Sequence, residues 1–219
     1  DNPFFAHTLV NRYWKHFFNR GLVEPEDDMR ETNPPVNPEL LQALAADFTA
    51  NGYDLKRLIR AITTSTTYQL SAVPNEHNSR DRQNFSRFYP KRLNAEVLYD
   101  AVNTLLETES QFAGQAPGTR AVALPDNSYN QSTYFLTVFG RPDSSSACEC
   151  ERTQDASLAQ SLHLLNAADI QTPLSRDQGR ADRMAKDSRP DDDKVADLYH
   201  IALSRDPTAD EMKLALSHL

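Results

Sequence analysis

The chain has 219 residues, of which 39% are hydrophobic, 31 are acidic and 23 are basic, giving a formal net charge of −8. This length and composition predict a globular protein with a buried core. The acidic balance argues against nucleic acid or an anionic membrane surface as a partner, because basic faces bind such phosphates.

Helices are predicted through the first half of the chain. The first begins at the cap-and-proline pair Asn2 and Pro3, carries an apolar stripe and ends at Gly21. Further helices are predicted after the capping residues Asn37, Asp54 and Asn94. No run of 18 apolar residues occurs in the sequence, so no membrane span is predicted.

Residues 107–156 interrupt the helical pattern. The stretches GTRAVALP and STYFLTVFG are short, rich in β-branched or aromatic residues and bounded by Gly and Pro, which favours extended structure. Helical spacing then resumes, and Thr208 and Glu211 have the spacing of a capping box. The sequence therefore predicts a mainly α, multi-helix domain with a small extended or β insertion around residues 107–156.

The domain organisation is predicted to be a single domain over residues 1–219, with a soft boundary near 173–190. The chain opens on DNPFF, inside a helix-start signal, and stops at KLALSHL, within a helical pattern. We therefore expect it to be a piece of a longer polypeptide.

An acidic loop follows the first predicted helix and contains Glu24, Glu26, Asp27 and Asp28. It lacks the spacing of an EF-hand, so a solvated loop is expected in preference to a Ca²⁺ site. Arg12, on the preceding helix, is expected to pair with one of the two aspartates.

The two cysteines of the chain, Cys148 and Cys150, are one residue apart. A disulfide between them closes so small a ring that it stabilises the fold by only about 1.6 kcal/mol on chain-entropy grounds. Two thiolates could instead bind a soft metal ion, but a closed zinc site needs four ligands, and the other ligands would have to come from His163, Glu149, Glu151 or Asp126. Three alternatives stay open: a local disulfide, two unpaired thiols, and a metal or redox site.

The segment 125–141 is the most site-like part of the sequence, because polar and aromatic residues occur together there outside any helical pattern. Functional residues gather on such loops, and aromatic plus amide side chains suit a sugar-like ligand. The same composition also suits a loop that packs on helices. The candidate ligand-binding residues are Asp126, Asn127, Asn130, Tyr134 and Arg141.

Several stretches together resemble a known domain family: NPFFAHTLVNRYWKHFFNRGLVEPEDDM, NPPVNPELLQALAADF, GYDLKRLIRAITTSTTYQLS, YPKRLNAEVLYDAV, FGRPDSSSACECER and LYHIALSRDPTADE. In order and wording they are similar to a domain of unknown function abundant in planctomycete bacteria. The resemblance covers nearly the whole chain. It implies an extracytoplasmic setting in a long exported protein, beside a sister domain and often a cytochrome-c-like module. It implies no reaction, because that family has no established catalytic residues.

A covalent c-type haem requires Cys-x-x-Cys-His, whereas this chain has Cys-x-Cys followed by Glu. No cofactor is therefore expected within the chain, apart from a metal ion that Cys148, Cys150 and His163 could bind.

The leading hypothesis for the function is an accessory or scaffolding module of a large extracytoplasmic redox-linked protein. Its expected partners are neighbouring domains of the same polypeptide, including a cytochrome-c-like module. The alternative is an extracytoplasmic enzyme, an oxidoreductase or a polysaccharide-acting hydrolase, with its site on loops 125–152.

Overall fold

The structure, a computed structural model, describes residues 2–125, 133–142, 152 and 156–219. Within these ranges the chain is helical and contains no strand, which confirms the mainly α prediction. The chain packs as two compact units, residues 1–91 and residues 92–219. The predicted soft boundary near 173–190 stays a prediction, and those residues belong to the second unit. No helix of the described ranges is long and apolar enough to cross a bilayer.

The first unit is built on three helices within residues 2–91: α1 (Pro3–Phe18), α2 (Pro38–Ala50) and α3 (Leu55–Thr63). Each begins at its predicted cap, because a side-chain oxygen of Asn2, Asn37 or Asp54 accepts a backbone N–H of the first turn. The end of α1 differs from the prediction, since Asn19 takes the left-handed conformation (φ 62°) expected for Gly21. Asparagine tolerates this conformation better than most residues.

An aromatic core holds the first unit together. The rings of Trp14 and Phe18 on α1 stack with centroids 4.2 Å apart. Phe85, from the irregular segment after α3, contacts the same two rings at 5.4 and 5.5 Å. All three side chains are buried, so this contact fastens an otherwise polar segment to α1.

The acidic loop after α1 is neutralised by basic residues of that helix. Arg12 binds Asp27 with two hydrogen bonds of 2.7 and 2.5 Å, which confirms the predicted ion pair. Lys15 lies 3.2 Å from Glu24 and 2.6 Å from Glu26. The hydrogen bond from Arg12 lowers the pKa of Asp27. These carboxylates are therefore engaged by cations of the protein itself.

The second unit contains α4 (Ala95–Leu106), α5 (Tyr134–Val138), α6 (Leu158–Asn166), α7 (Ala168–Leu174), α8 (Arg180–Lys186), α9 (Asp191–Leu203) and α10 (Ala209–Leu216). A buried apolar cluster around Phe135, Leu136 and Phe139 of the α5 region packs against α4 and α7. The predicted capping box of Thr208 and Glu211 is confirmed at the start of α10.

The extended insertion predicted around residues 107–156 is wrong for the described parts of both stretches that suggested it. GTRAVALP contains a 3-10 turn, Ala121–Ala123, whose first N–H bonds to the buried carboxylate of Asp100 at 2.7 Å. STYFLTVFG contains α5, where the side chain of Thr133 accepts the N–H of Leu136. Its β-branched and aromatic residues serve burial, because tertiary packing overrides a weak local preference for extended backbone.

Candidate functional site

The described residues include Tyr134 and Arg141, two of the five candidate ligand-binding residues, and also His163. The remaining candidates lie outside the described residues: Asp126, Asn127, Asn130, Cys148 and Cys150. Whether any of these residues binds a ligand or a metal stays a prediction.

Arg141 belongs to a buried ion cluster. Its side chain is 3% exposed, its Nε lies 3.6 Å from Oε1 of Glu96 on α4, and its Nη2 donates to the Pro125 carbonyl at 2.9 Å. The side chain of Arg152, 9% exposed, binds both carboxylate oxygens of Glu96 at 2.8 and 3.2 Å. One carboxylate therefore holds the residues on both sides of the segment 142–151.

This cluster fixes the positions of Arg141 and Arg152 on the Glu96 carboxylate. A two-bond arginine–carboxylate pair fixes orientation as well as distance, and a buried pair is screened far less than a surface pair. Both arginine side chains are buried against Glu96, so neither is presented to solvent. Sequence reasoning singled out Arg141 and missed Glu96, which is an ordinary first-turn glutamate of a helix.

Tyr134 lies beside His163, which forms a second polar feature. The centroids of these two rings are 5.5 Å apart, and the rings of Phe135 and Phe139 lie 5.3 and 6.1 Å from the same imidazole. Nε2 of His163 is 3.3 Å from Oδ2 of Asp169 on α7. The imidazole is therefore buried among rings, with one nitrogen directed to a carboxylate.

A carboxylate that contacts one ring nitrogen fixes the orientation of an imidazole. Tyr134 is 71% exposed and lies at the solvent side of the histidine. In the described ranges, no three His, Cys, Asp or Glu side chains are arranged to bind a metal ion.

A cleft of about 370 Å³ lies within the second unit, between α8, α9 and the turn that joins them. Its polar lining consists of Arg180, Arg183, Asp187, Arg189, Asp197 and His200. Arg189 is held between two aspartates at 2.8 Å each. Arg180 and Arg183 both bind Glu107, and the hydrogen bond from Arg183 lowers the pKa of that carboxyl. These pairs fill the hydrogen-bonding positions that a ligand would use. All of the lining residues lie within residues 180–201, but no motif in that stretch predicted the cleft.

The short helix α6 exposes its apolar residues and buries polar ones. Leu158, Leu162 and Leu165, here called the leucine face, are 74%, 49% and 67% exposed. Gln160 and His163 are buried instead, and Gln160 donates to the Val138 carbonyl at 3.0 Å. This distribution of apolar and polar side chains is the reverse of that in a surface helix, which packs on the core through its apolar side. An exposed apolar face of this kind is typical of an interaction surface.

Comparison with known proteins bears on the whole chain. Residues 1–219 match a family described as PSD1, protein of unknown function (DUF1553). No curated protein and no solved structure matches the chain.

Proposed function

Because the chain belongs to the DUF1553 family, whose function is unknown, we propose from its surface that it is an accessory, scaffolding module. In this proposal it is part of a large extracytoplasmic, redox-linked protein. Its leucine face packs against a neighbouring domain of the same polypeptide. The observation that carries the proposal is the distribution of side chains on α6, where the leucines are exposed and Gln160 and His163 are buried.

The energy available at the leucine face is large enough for docking. Burying a leucine side chain fully contributes about 1.5–3 kcal/mol, and three leucines exposed by half to three-quarters offer about 3–6 kcal/mol in total. Tyr134 of α5 is exposed beside His163 of α6 and adds an aromatic side chain of the type that anchors interfaces. Contacts of this size suit a domain held in place by a covalent linkage, which reduces the entropy that association costs.

The Glu96 cluster supports a structural role for the cysteine-bearing segment. Glu96 binds Arg141 and Arg152, on either side of that segment, and thereby holds its two ends together. In an oxidising compartment, which the family resemblance favours, Cys148 and Cys150 would form a local disulfide within this anchored segment. A cytochrome-c-like neighbour is the partner that the same resemblance favours.

The experiment compares the isolated chain with the full polypeptide by hydrogen exchange. Amides of α6 should exchange more slowly in the full polypeptide, because the leucine face is covered there. The triple variant Leu158→Ser/Leu162→Ser/Leu165→Ser should abolish this difference. Leu214→Ser, at a 62% exposed leucine of α10, is the matched control and should keep it. Equal exchange of α6 in the isolated chain and the full polypeptide would refute the proposal.

A second candidate function is an extracytoplasmic enzyme, an oxidoreductase or a polysaccharide-acting hydrolase with its site on loops 125–152. The observation that favours it is the contact between His163 and Asp169 beside exposed Tyr134, since an oriented imidazole can act as a general base. His163→Gln should then abolish turnover of an active preparation while the urea midpoint falls only modestly. Retained turnover in that variant would exclude His163 as the general base.

A further inference from the structure

The helix α6 is complete at both ends but is attached to its unit by few residues. Its N-terminus has a capping box, in which the Ser157 hydroxyl accepts the Gln160 N–H and the Gln160 side chain accepts the Ser157 N–H. At the other end Asn166 donates to the Leu162 carbonyl at 3.2 Å. Seven of its nine residues are exposed, and the two buried ones are Gln160 and His163. Both are polar, so the helix is held on its unit without burying one apolar side chain.

The three residues of the leucine face lie in one stripe along α6. They are spaced by four and then three positions, so at 3.6 residues per turn their side chains fall within about 60° of one another around the helix axis. By the same count the two buried residues lie on the opposite side. Apolar residues at alternating spacings of four and three are the pattern by which one helix packs along another. The leucine face therefore has the geometry of one half of a two-helix contact.

Short side chains border the stripe. Ser161 lies on one side of it, and Ala159 and Asn166 lie on the other. The axes of packed helices are about 8–10 Å apart, depending on the side chains at the contact, and short neighbours permit the closer approach. A second helix can therefore pack directly against the leucines.

Charged residues are rare in this part of the sequence. Residues 156–175 contain one, Asp169, whereas a stretch of 20 residues at the chain's average of 25% would contain five. α6 itself contains no Asp, Glu, Lys or Arg. Charged residues are depleted in the cores of protein interfaces, because an unpaired charge that loses its water is costly to bury. The contacting side of a partner should therefore be uncharged as well.

We propose that the leucine face packs along an amphipathic helix of a neighbouring domain. The apolar residues of that helix repeat at spacings of three and four, and its contacting side carries no charge. This inference rests on the proposed scaffolding function, and it specifies the kind of element that covers the same face.

Two other occupants fit the leucine face less well. A second copy of this chain would bring together two 92–219 units, each with 20 acidic and 12 basic residues and hence a net charge of −8. Such charges repel one another. A membrane surface attracts helices that carry Lys and Arg beside their apolar side, and α6 has neither. An uncharged helical stripe of a neighbouring domain meets neither obstacle.

The size of the leucine face suits a partner that is covalently linked. The three leucines, exposed by half to three-quarters, offer roughly 100–250 Å² of apolar surface. Separate proteins that form a stable complex bury about 800 Å² each. The face alone is therefore too small to capture a free protein, whereas a linked domain is present at an effective concentration on the order of millimolar.

Photo-cross-linking in the full polypeptide tests this inference. The photo-reactive amino acid p-benzoylphenylalanine replaces Leu158 in one variant and Leu165 in another, and mass spectrometry locates the residue that each variant captures. The two positions are about 10 Å apart along the axis of α6. On a helical partner the two captured residues should lie about seven positions apart, whereas on an extended strand they would lie about three apart.

Further variants serve as controls. The same replacement at Leu214, a 62% exposed leucine of α10, should not capture the same segment. Leu162→Asp, combined with the photo-reactive residue at position 158, should lower the cross-linking yield about tenfold, because it places an unpaired charge within the contact. Leu162→Met conserves volume and should change the yield less than about twofold. Urea unfolding midpoints show that the variants are folded.

Several results would overturn the inference. They are the absence of capture, captured residues about three positions apart, capture of a second copy of the chain or of lipid, and equal yields for Leu162→Asp and Leu162→Met. Slower exchange of α6 in the full polypeptide shows only that the leucine face is covered. If exchange is slowed but the captured residues lack helical spacing, this inference fails and the proposed function stands. Equal exchange shows instead that the proposed function itself has failed.

Discussion

Replacing Glu96 by glutamine tests the buried ion cluster directly. The substitution keeps the shape of the side chain and removes the charge that Arg141 and Arg152 share. The two arginine side chains are 3% and 9% exposed, so water cannot readily replace the lost carboxylate. We expect the variant to fold with lower stability and with a less firmly held segment between the two arginines.

The size of the effect follows from burial. Exposed ion pairs contribute about 0.2–1 kcal/mol, whereas removal of one partner from a buried pair costs about 3–5 kcal/mol. Arg152 binds Glu96 at 2.8 and 3.2 Å, while Arg141 is 3.6 Å away, so most of the loss should come from Arg152. We therefore expect the free energy of unfolding to fall by about 3 kcal/mol, a large part of the ordinary total of about 5–15 kcal/mol.

Urea unfolding followed by circular dichroism measures this change, and the rate of alkylation of Cys148 and Cys150 after mild reduction reports on the anchored segment. Glu109→Gln, at an exposed glutamate of the same unit, is the control and should stay within about 0.5 kcal/mol of the wild type. A loss below about 1 kcal/mol for Glu96→Gln, or unchanged alkylation of the cysteines, would show that the cluster does not anchor the segment.

Three further results are expected. Asn11→Ala should cost about 3 kcal/mol of unfolding free energy, because this fully buried amide makes two hydrogen bonds with the Val23 backbone at 2.9 and 3.0 Å that nothing replaces. Gly21→Ala should cost about 3 kcal/mol, since a Cβ atom would lie 2.3 Å from the Val23 carbonyl oxygen. Hydrogen bonds lower the pKa of Glu211 to about 2. The largest contribution comes from the side chain of Arg205, and the next comes from a backbone N–H. The stability that this carboxylate contributes should be complete above its ordinary pKa near 4.5 and lost as the pH falls to about 2.

Each of these results has its own control. Asn84→Ala removes an exposed amide and should leave the urea midpoint unchanged. If Asn11→Ala also left the midpoint unchanged, the buried hydrogen bonds of Asn11 would not stabilise the fold. Gly52→Ala meets no atom within 4 Å and should cost only the left-handed backbone strain, about 1–2 kcal/mol. For Glu211→Gln, the difference in melting temperature from the wild type should disappear between pH 4.5 and about pH 2. A difference that persists at pH 2 would show that the charge is not its cause.

Local signals predicted the helix starts well. Asn2, Asn37 and Asp54 cap α1, α2 and α3 as expected, and the capping box at α10 is present. Capping is a contact between residues two or three apart, so its chemistry is complete in the sequence. Helix ends were less certain, because Asn19 and not Gly21 terminates α1.

Predictions that depended on burial were less successful. α5 contains Tyr, Phe, Thr and Val, which resemble a strand by composition, but Phe135 and Leu136 are buried in a helix. In α6 the leucines are exposed and His163 is buried, although the leucines are the more apolar residues. Composition shows which residues are apolar, whereas the direction they face depends on the elements that surround them.

The sequence by itself determined the mainly helical character, the helix starts, the ion pair between Arg12 and the acidic loop, and the family to which the chain belongs. These features depend on local contacts or on the order of motifs along the chain. Only the tertiary structure brought Glu96 to Arg152 and the side chain of Lys91 to the end of α1. Such contacts join residues tens of positions apart, and their energies arise from burial and from the absence of competing partners, neither of which is encoded in any short stretch.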